Sequence, residues 1–158
     1  LSGSDLGIVR GETRLMNNEP VHREWTIASD IREIEPLVAD AVGVCAAADI
    51  SPRACRLNIP VALTEALSNA ILRGNNNERE RHVFVTLSLN EISLKLEVTD
   101  EGSGFDELSA HFSPDDTDWL EREDGRGLFL MRSLMDSVEL AQSSGNQGHT
   151  VRLVLKRK

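Results

Sequence analysis

Glu65 and Asn69 lie four residues apart in the segment from Pro60 to Gly74. Plotted at about 100° per residue, Ile59, Leu63, Ala66, Leu67, Ala70 and Ile71 cover one arc of a helix. Glu65, Ser68, Asn69 and Arg73 fall on the other, and four-residue spacing sets Glu65 and Asn69 side by side. The pair has a specific chemical use. A carboxamide oxygen is a neutral, hard ligand for Mg²⁺, and a neighbouring carboxylate can accept a proton from an attacking hydroxyl or water. A solvated polar stripe would read the same way, so the pair alone does not decide.

A second carboxylate has the wrong parity for solvent. Ile92, Leu94, Leu96 and Val98 alternate with polar residues, and Asp100 continues the apolar phase. A carboxylate on the core side of a sheet is costly unless it has a partner. The exocyclic amine of an adenine is one donor that would satisfy it. The alternative is that the strand ends at Thr99 and Asp100 begins a turn. Gly102 and Gly104 follow at once, where glycine lets backbone approach a flat ring or adopt positive φ. Further on, Asp124, Gly125, Arg126, Gly127 and Leu128 run directly into an apolar helical pattern. Exposed N–H groups and the positive end of a helix dipole suit a phosphate chain, with Arg126 adding charge. Each string is common by itself. Their order is not: a Glu/Asn helix, a strand into Asp-x-Gly-x-Gly, a long loop, Gly-x-Gly at a helix, then Gly-His-Thr leading into a strand.

The elements that carry these residues follow from periodicity. Residues 1–20 are polar and Gly-rich, begin with Leu, and read as a flexible tail, an expression remnant or a linker from an upstream domain. Residues 21–158 read as one domain. A strand is predicted over 22–28, then a helix from Asp30, with Glu33 three beyond it as in a capping box and Pro36 in the first turn. A second helix runs from Ser51-Pro52 to about Arg73 and stops at Gly74 and Asn75–Asn77. Val83, Val85, Leu87 and Leu89 pair with Ile92, Leu94, Leu96 and Val98 in a hairpin turning at Asn90-Glu91. Residues 105–124 hold eight acidic residues with weak periodicity and read as a long loop. A third helix is predicted from about Gly127 to Met135, and a last hairpin pairs Ser137–Ala141 with Thr150–Leu155. Helices on one face of a mixed, mostly antiparallel sheet make an α+β two-layer sandwich.

Composition narrows the classes. A net charge of −9, from 17 basic and 26 acidic residues, argues against direct nucleic-acid binding, which needs a basic face. Aromatics are 4% of the chain, so aliphatic side chains must fill the core. Cys45 and Cys55 form no C-x-x-C pair and read as small thiols in a reducing cytosol. No stretch approaches the roughly 20 apolar residues of a membrane span, and no signal-peptide layout opens the sequence, so a cytoplasmic location is expected.

Residues 60–155 resemble the GHKL (Bergerat) ATP-binding fold, and within it the bacterial anti-sigma-factor serine/threonine kinases of the sporulation and general-stress type. The helix around Glu65 and Asn69 is similar to that family's N box, Asp100 to Gly104 to its first glycine box, and Gly125 to Met131 to its second. The resemblance implies that Asn69 ligates Mg²⁺, Glu65 is the catalytic base and Asp100 holds the adenine amine. It implies that Gly102, Gly104, Gly125, Gly127 and Leu128 shape an ATP pocket, that 105–124 form its lid, and that Thr150 lines the adenine end. Relatives often carry an arginine just before the second glycine box, where this chain has Glu123 and Asp124; Arg122, Arg126 or Arg73 would then serve the phosphates. The partners implied are ATP, a sigma factor or a small STAS-type antagonist protein, and a second copy in a homodimer. Two alternatives stand beside the kinase: a nucleotide-dependent binding switch without transfer, and a detached histidine-kinase ATPase domain. Against the latter, none of His22, His82, His111 and His149 lies in an evident phospho-accepting helix.

Overall fold

In the computed structural model, residues 20–102, 123–142 and 148–157 are described. In chain order they form β1 (Val21–Ala28), α1 (Ile34–Ala47), α2 (Ile59–Asn69), β2 (His82–Leu89), β3 (Ser93–Thr99), α3 (Glu123–Leu134), β4 (Ser137–Gln142) and β5 (His149–Lys156). Of the lid segment expected over 105–124, residues 105–122 fall outside the described residues, as do residues 1–19 of the tail predicted over 1–20, Gly104, Arg122 and His111.

Alternation decides the centre of the molecule. Val83, Val85, Leu87 and Leu89 of β2 are at most 2% exposed, as are Leu94, Leu96 and Val98 of β3. The antiparallel register sets Val85 opposite Val98, Leu87 opposite Leu96 and Leu89 opposite Leu94, so both apolar rows share one face. Fully burying each such side chain contributes about 1.5–3 kcal/mol. The sheet order is β1-β2-β3-β5-β4, and every pairing among the described strands is antiparallel, so no parallel pair enters the expected mixed sheet. The buried rows meet Leu37, Ala41 and Cys45 of α1, Ile59, Leu63, Ala66 and Leu67 of α2, and Leu128 and Met131 of α3. The alternate residues of the strands are mostly half-buried or exposed, and the described helices cover one face.

Ile92 corrects the predicted hairpin. It is 73% exposed and sits in the turn rather than in β3. Asn90 Oδ1 accepts N–H bonds from Ile92 and Ser93, at 2.8 and 2.9 Å, and this side-chain turn displaces Ile92 from the ladder.

The capping box forms by half. Asp30 accepts the N–H of Arg32 at 2.9 Å ahead of a 3-10 turn over Ile31–Glu33, but its own N–H goes to the Ala28 carbonyl rather than to Glu33. Pro36 does lie in the first turn of α1.

The second helix is longer and less regular than its periodicity implies. Two π-helical turns, Ala54–Asn58 and Ala70–Gly74, flank α2. The first precedes Pro60, which has no N–H and whose ring would crowd the carbonyl four residues back in a regular helix; the wider turn relieves that conflict. The second ends in an N–H bond from Asn75 to the Ala70 carbonyl at 2.8 Å. Asn76 and Asn77 then take φ of 53° and 56°, a left-handed conformation that asparagine tolerates better than most residues.

Candidate functional site at one end of the sheet

Four segments converge where β3 leaves the sheet: the residues after β3, the start of β5, the π-helical turn after α2, and the junction of β1 with β2. Asp100 stands at the centre and is 5% exposed, as its core-side parity predicts. Its Oδ1 accepts the N–H of Gly102 at 3.0 Å and of His149 at 3.1 Å. Bonds to a charged acceptor are worth about 1.5–3 kcal/mol each, which offsets the desolvation of the carboxylate. Its own N–H donates to the His149 carbonyl at 3.0 Å, fixing the start of β5 against it.

The carboxyl group lies directly over Gly74. A Cβ built on Gly74 would fall on the Asp100 carboxyl group, and one on Gly102 would fall on the Gly74 carbonyl. Gly148, with φ of +84°, closes the other side against the Asp100 backbone. The absence of side chains at these positions is therefore what lets Asp100 be buried here. In the sequence Gly74 signals only a helix stop, and Gly148 only part of the Gly-His-Thr string. The signal that could have found Gly74 is its place directly after the Glu/Asn helix, where a side chain would point at the end of β3.

Thr150 does not join this cluster. Side chains alternate along a strand, and Thr150 pairs with Thr99 on the opposite face, its Oγ1 2.8 Å from that of Thr99. His149, one residue earlier, is on Asp100's face, with its Nδ1 3.8 Å from Asp100 Oδ1. A shift of one residue along β5 exchanges the two faces.

Glu65 and Asn69 lie on the half-buried stripe of α2, as their spacing predicts. Helix α3 packs over them at Gly127: a Cβ there would lie 2.7 Å from Glu65 Oε2 and 3.4 Å from Asn69 Nδ2. The far end of α3 is tied down as well, by Asn58 Nδ2 donating to the Leu134 carbonyl at 2.7 Å. The start of α3 departs from expectation. It begins at Glu123, so Gly125 and Gly127 are inside the helix rather than ahead of it. The first four N–H groups of a helix lack internal partners. The N–H groups without an intrahelical partner are thus those of residues 123–126, and Gly127 serves close packing instead. Arg73 and Arg126 are exposed, the former in the π-helical turn, while Leu128 is 2% exposed and has its side chain in the core.

This arrangement fits an adenine nucleotide with its cation. A buried carboxylate is held by the N–H groups of Gly102 and His149, and its remaining acceptor capacity suits an amine donor. Among the described residues no group of three or more His, Cys, Asp or Glu could hold a metal ion. Mg²⁺ is commonly held by one or two protein oxygens together with phosphates; Asn69 would supply the protein oxygen.

A family model described as the histidine kinase-like ATPase domain matches residues 27–155. The chain belongs to that family. This ATPase-family domain is 29% identical to the anti-sigma F factor of Bacillus subtilis (strain 168) over 140 residues, covering 88% of this chain and 84% of that protein. It is 33% identical to the serine-protein kinase RsbW of Bacillus velezensis over 94 residues, 56% of this chain and 58% of the relative. A crystal structure of the RsbU and RsbW domains of Rv1364c from Mycobacterium tuberculosis shares its fold, with a TM-score of 0.60 at 17% identity. That match covers 89% of this chain and 33% of the other. The expected α+β sandwich is thereby borne out. ATP use is what membership implies, and anti-sigma regulators and serine kinases are the relatives it resembles. No helix among the described residues is long and apolar enough to cross a membrane.

Proposed function

We propose that this domain binds ATP and transfers its terminal phosphoryl group to a serine or threonine of a small antagonist protein, as part of a switch acting on a sigma factor. The observation that carries the reading is the pairing of two stations on one helix. Gly74, at one end of the second helix, seats the buried Asp100, and the middle of the same helix carries Glu65 and Asn69 against α3. In this reading Asp100 accepts the adenine amine, and its rejection of other bases follows from burial, since an unmatched polar edge there would stay unpaired. Asn69 offers its amide oxygen to Mg²⁺. Glu65 accepts the proton of the attacking hydroxyl. The N–H groups of residues 123–126 and the cations of Arg73 and Arg126 draw the phosphate end toward α3. When bound, Mg²⁺-ATP supplies the phosphoryl group, whose loose transfer asks of the protein mainly positioning and charge neutralisation.

A second reading, a nucleotide-dependent binding switch without transfer, is favoured by the contact at Gly127, which sets Glu65 Oε2 against a helix rather than toward an open face. Incubation with labelled ATP and the co-purified antagonist separates the two. The kinase reading expects label on the antagonist, lost in Glu65→Ala while nucleotide affinity stays within about threefold. Undiminished label in that variant removes Glu65 as the base, and tight binding with no label at all supports the switch.

A further inference from the structure

Ser29, Asn75 and Asp100 are the buried polar residues among those described. The nucleotide reading uses Asp100 and gives the other two no task. Asn75 is 0% exposed, and its amide is committed on both ends. Nδ2 donates to Ser29 Oγ at 2.7 Å and to the His82 carbonyl at 2.9 Å, while Oδ1 accepts the N–H of Glu101 at 2.8 Å. Ser29 is held in turn, its hydroxyl donating to the Arg81 carbonyl at 2.7 Å and its N–H to the same oxygen at 3.1 Å. The donor and acceptor needs fix which way the amide points, because only its nitrogen can serve the His82 carbonyl and only its oxygen the Glu101 N–H.

We infer that Asn75, seated by Ser29, is a positioning residue that aims the Asp100 carboxylate for purine recognition; the inference rests on the reading of Asp100 as the adenine acceptor. Two connections carry it. Asn75 directly follows Gly74, the backbone on which the Asp100 carboxyl group lies. Its Oδ1 also pins Glu101, the residue between Asp100 and Gly102, whose N–H binds Asp100 Oδ1. One side chain therefore holds both the floor beneath the carboxylate and the short turn that orients it. Without the amide, the Glu101 N–H loses its partner and the residue is held through its carboxylate at the His82 N–H, so the peptide turns, Gly102 N–H leaves Oδ1, and the Asp100 carboxylate loses its fixed direction. The phosphate end, built from α2 and α3, makes none of these bonds.

Calorimetric dissociation constants for ATP and GTP test this in the unmodified protein, Asn75→Asp, Asn75→Ala and Ser29→Ala. Asn75→Asp keeps the shape and the acceptor for Glu101 but turns a carboxylate oxygen toward Ser29 Oγ and the His82 carbonyl. The preference for ATP over GTP is expected to fall about tenfold in both Asn75 variants, the equivalent of one hydrogen bond, and less in Ser29→Ala. GTP affinity is expected to hold. If both nucleotides weaken by the same factor, or melting falls with the preference intact, Asn75 is a structural cap and the inference fails. Amide exchange in nucleotide-free Ser29→Ala covers the case in which the Asn75 variants do not fold. Faster exchange at Gly102 and His149 is expected, and unchanged rates at both sink the proposal. An unmodified protein with no preference for ATP overturns the adenine reading and this inference together, and is recognised before any substitution is made.

Discussion

At the scale of single residues, glycine and carboxylate are matched at one point. Asp100 is buried only because Gly74 gives it room and two N–H groups give it partners. Gly43, in α1, offers the contrast: a Cβ there would meet nothing within 4 Å. Gly43→Ala is expected to stabilise the domain by about 0.5–1 kcal/mol through helix propensity. Gly74→Ala is expected to cost about 1–3 kcal/mol, because the new methyl group overlaps a buried carboxylate that has little space to retreat. Urea denaturation of the two variants beside the parent checks both signs, and equal midpoints would mean that Asp100 is not held as described. Parity made the burial of Asp100 legible in the sequence. The resemblance assigned Thr150 to the adenine end, whereas in the structure the pleat of β5 sets its hydroxyl against Thr99, on the face opposite Asp100. The role of Asn75 was not legible, since a run of three asparagines after a helix signals a stop, and only the fold brings Ser29, His82 and Glu101 around it.

At the scale of elements, apolar alternation and helical spacing located β1, α1, α2 and both hairpins within a few residues. They failed where local chemistry or packing outweighs periodicity. Ile92 continues the apolar phase of β3, yet the Asn90 side chain claims its N–H and leaves it in solvent. Leu94, two residues on, is 0% exposed. Leu94→Ala is therefore expected to cost about 2–5 kcal/mol, and Ile92→Asn less than about 0.5 kcal/mol, in the same denaturation assay. A large loss at Ile92 would mean that the hairpin turns elsewhere. Helix α3 starts earlier than its sequence suggests because glycine is read as a poor helix former, while Gly127 packs against Glu65 and Asn69. Neither π-helical turn has a propensity signature. One becomes intelligible through Pro60, the other through the Asn75 N–H that closes it.

At the scale of the whole molecule, the site belongs to no single element. The end of β3, the start of β5, the close of the second helix and the β1–β2 junction are joined there through Asp100 and Asn75, so a ligand that tightens this junction ties the sheet to the helical layer. A ligand that binds only the folded chain raises stability by about 2.7 kcal/mol when present at a hundred times its dissociation constant. For a chain of this size that is a rise of roughly 5–10 °C in melting temperature. Scanning calorimetry with magnesium and saturating ATP should show that rise. Asp100→Asn should lose roughly a third to nine tenths of it at the same nucleotide concentration, because affinity falls by about 1–3 kcal/mol when the amine faces an amide that also carries donors. The direction of the control matters more than the size of the shift. If ATP stabilises Asp100→Asn as much as the parent, the nucleotide binds elsewhere. The burial of Asp100 would then serve only to fasten β3 to β5.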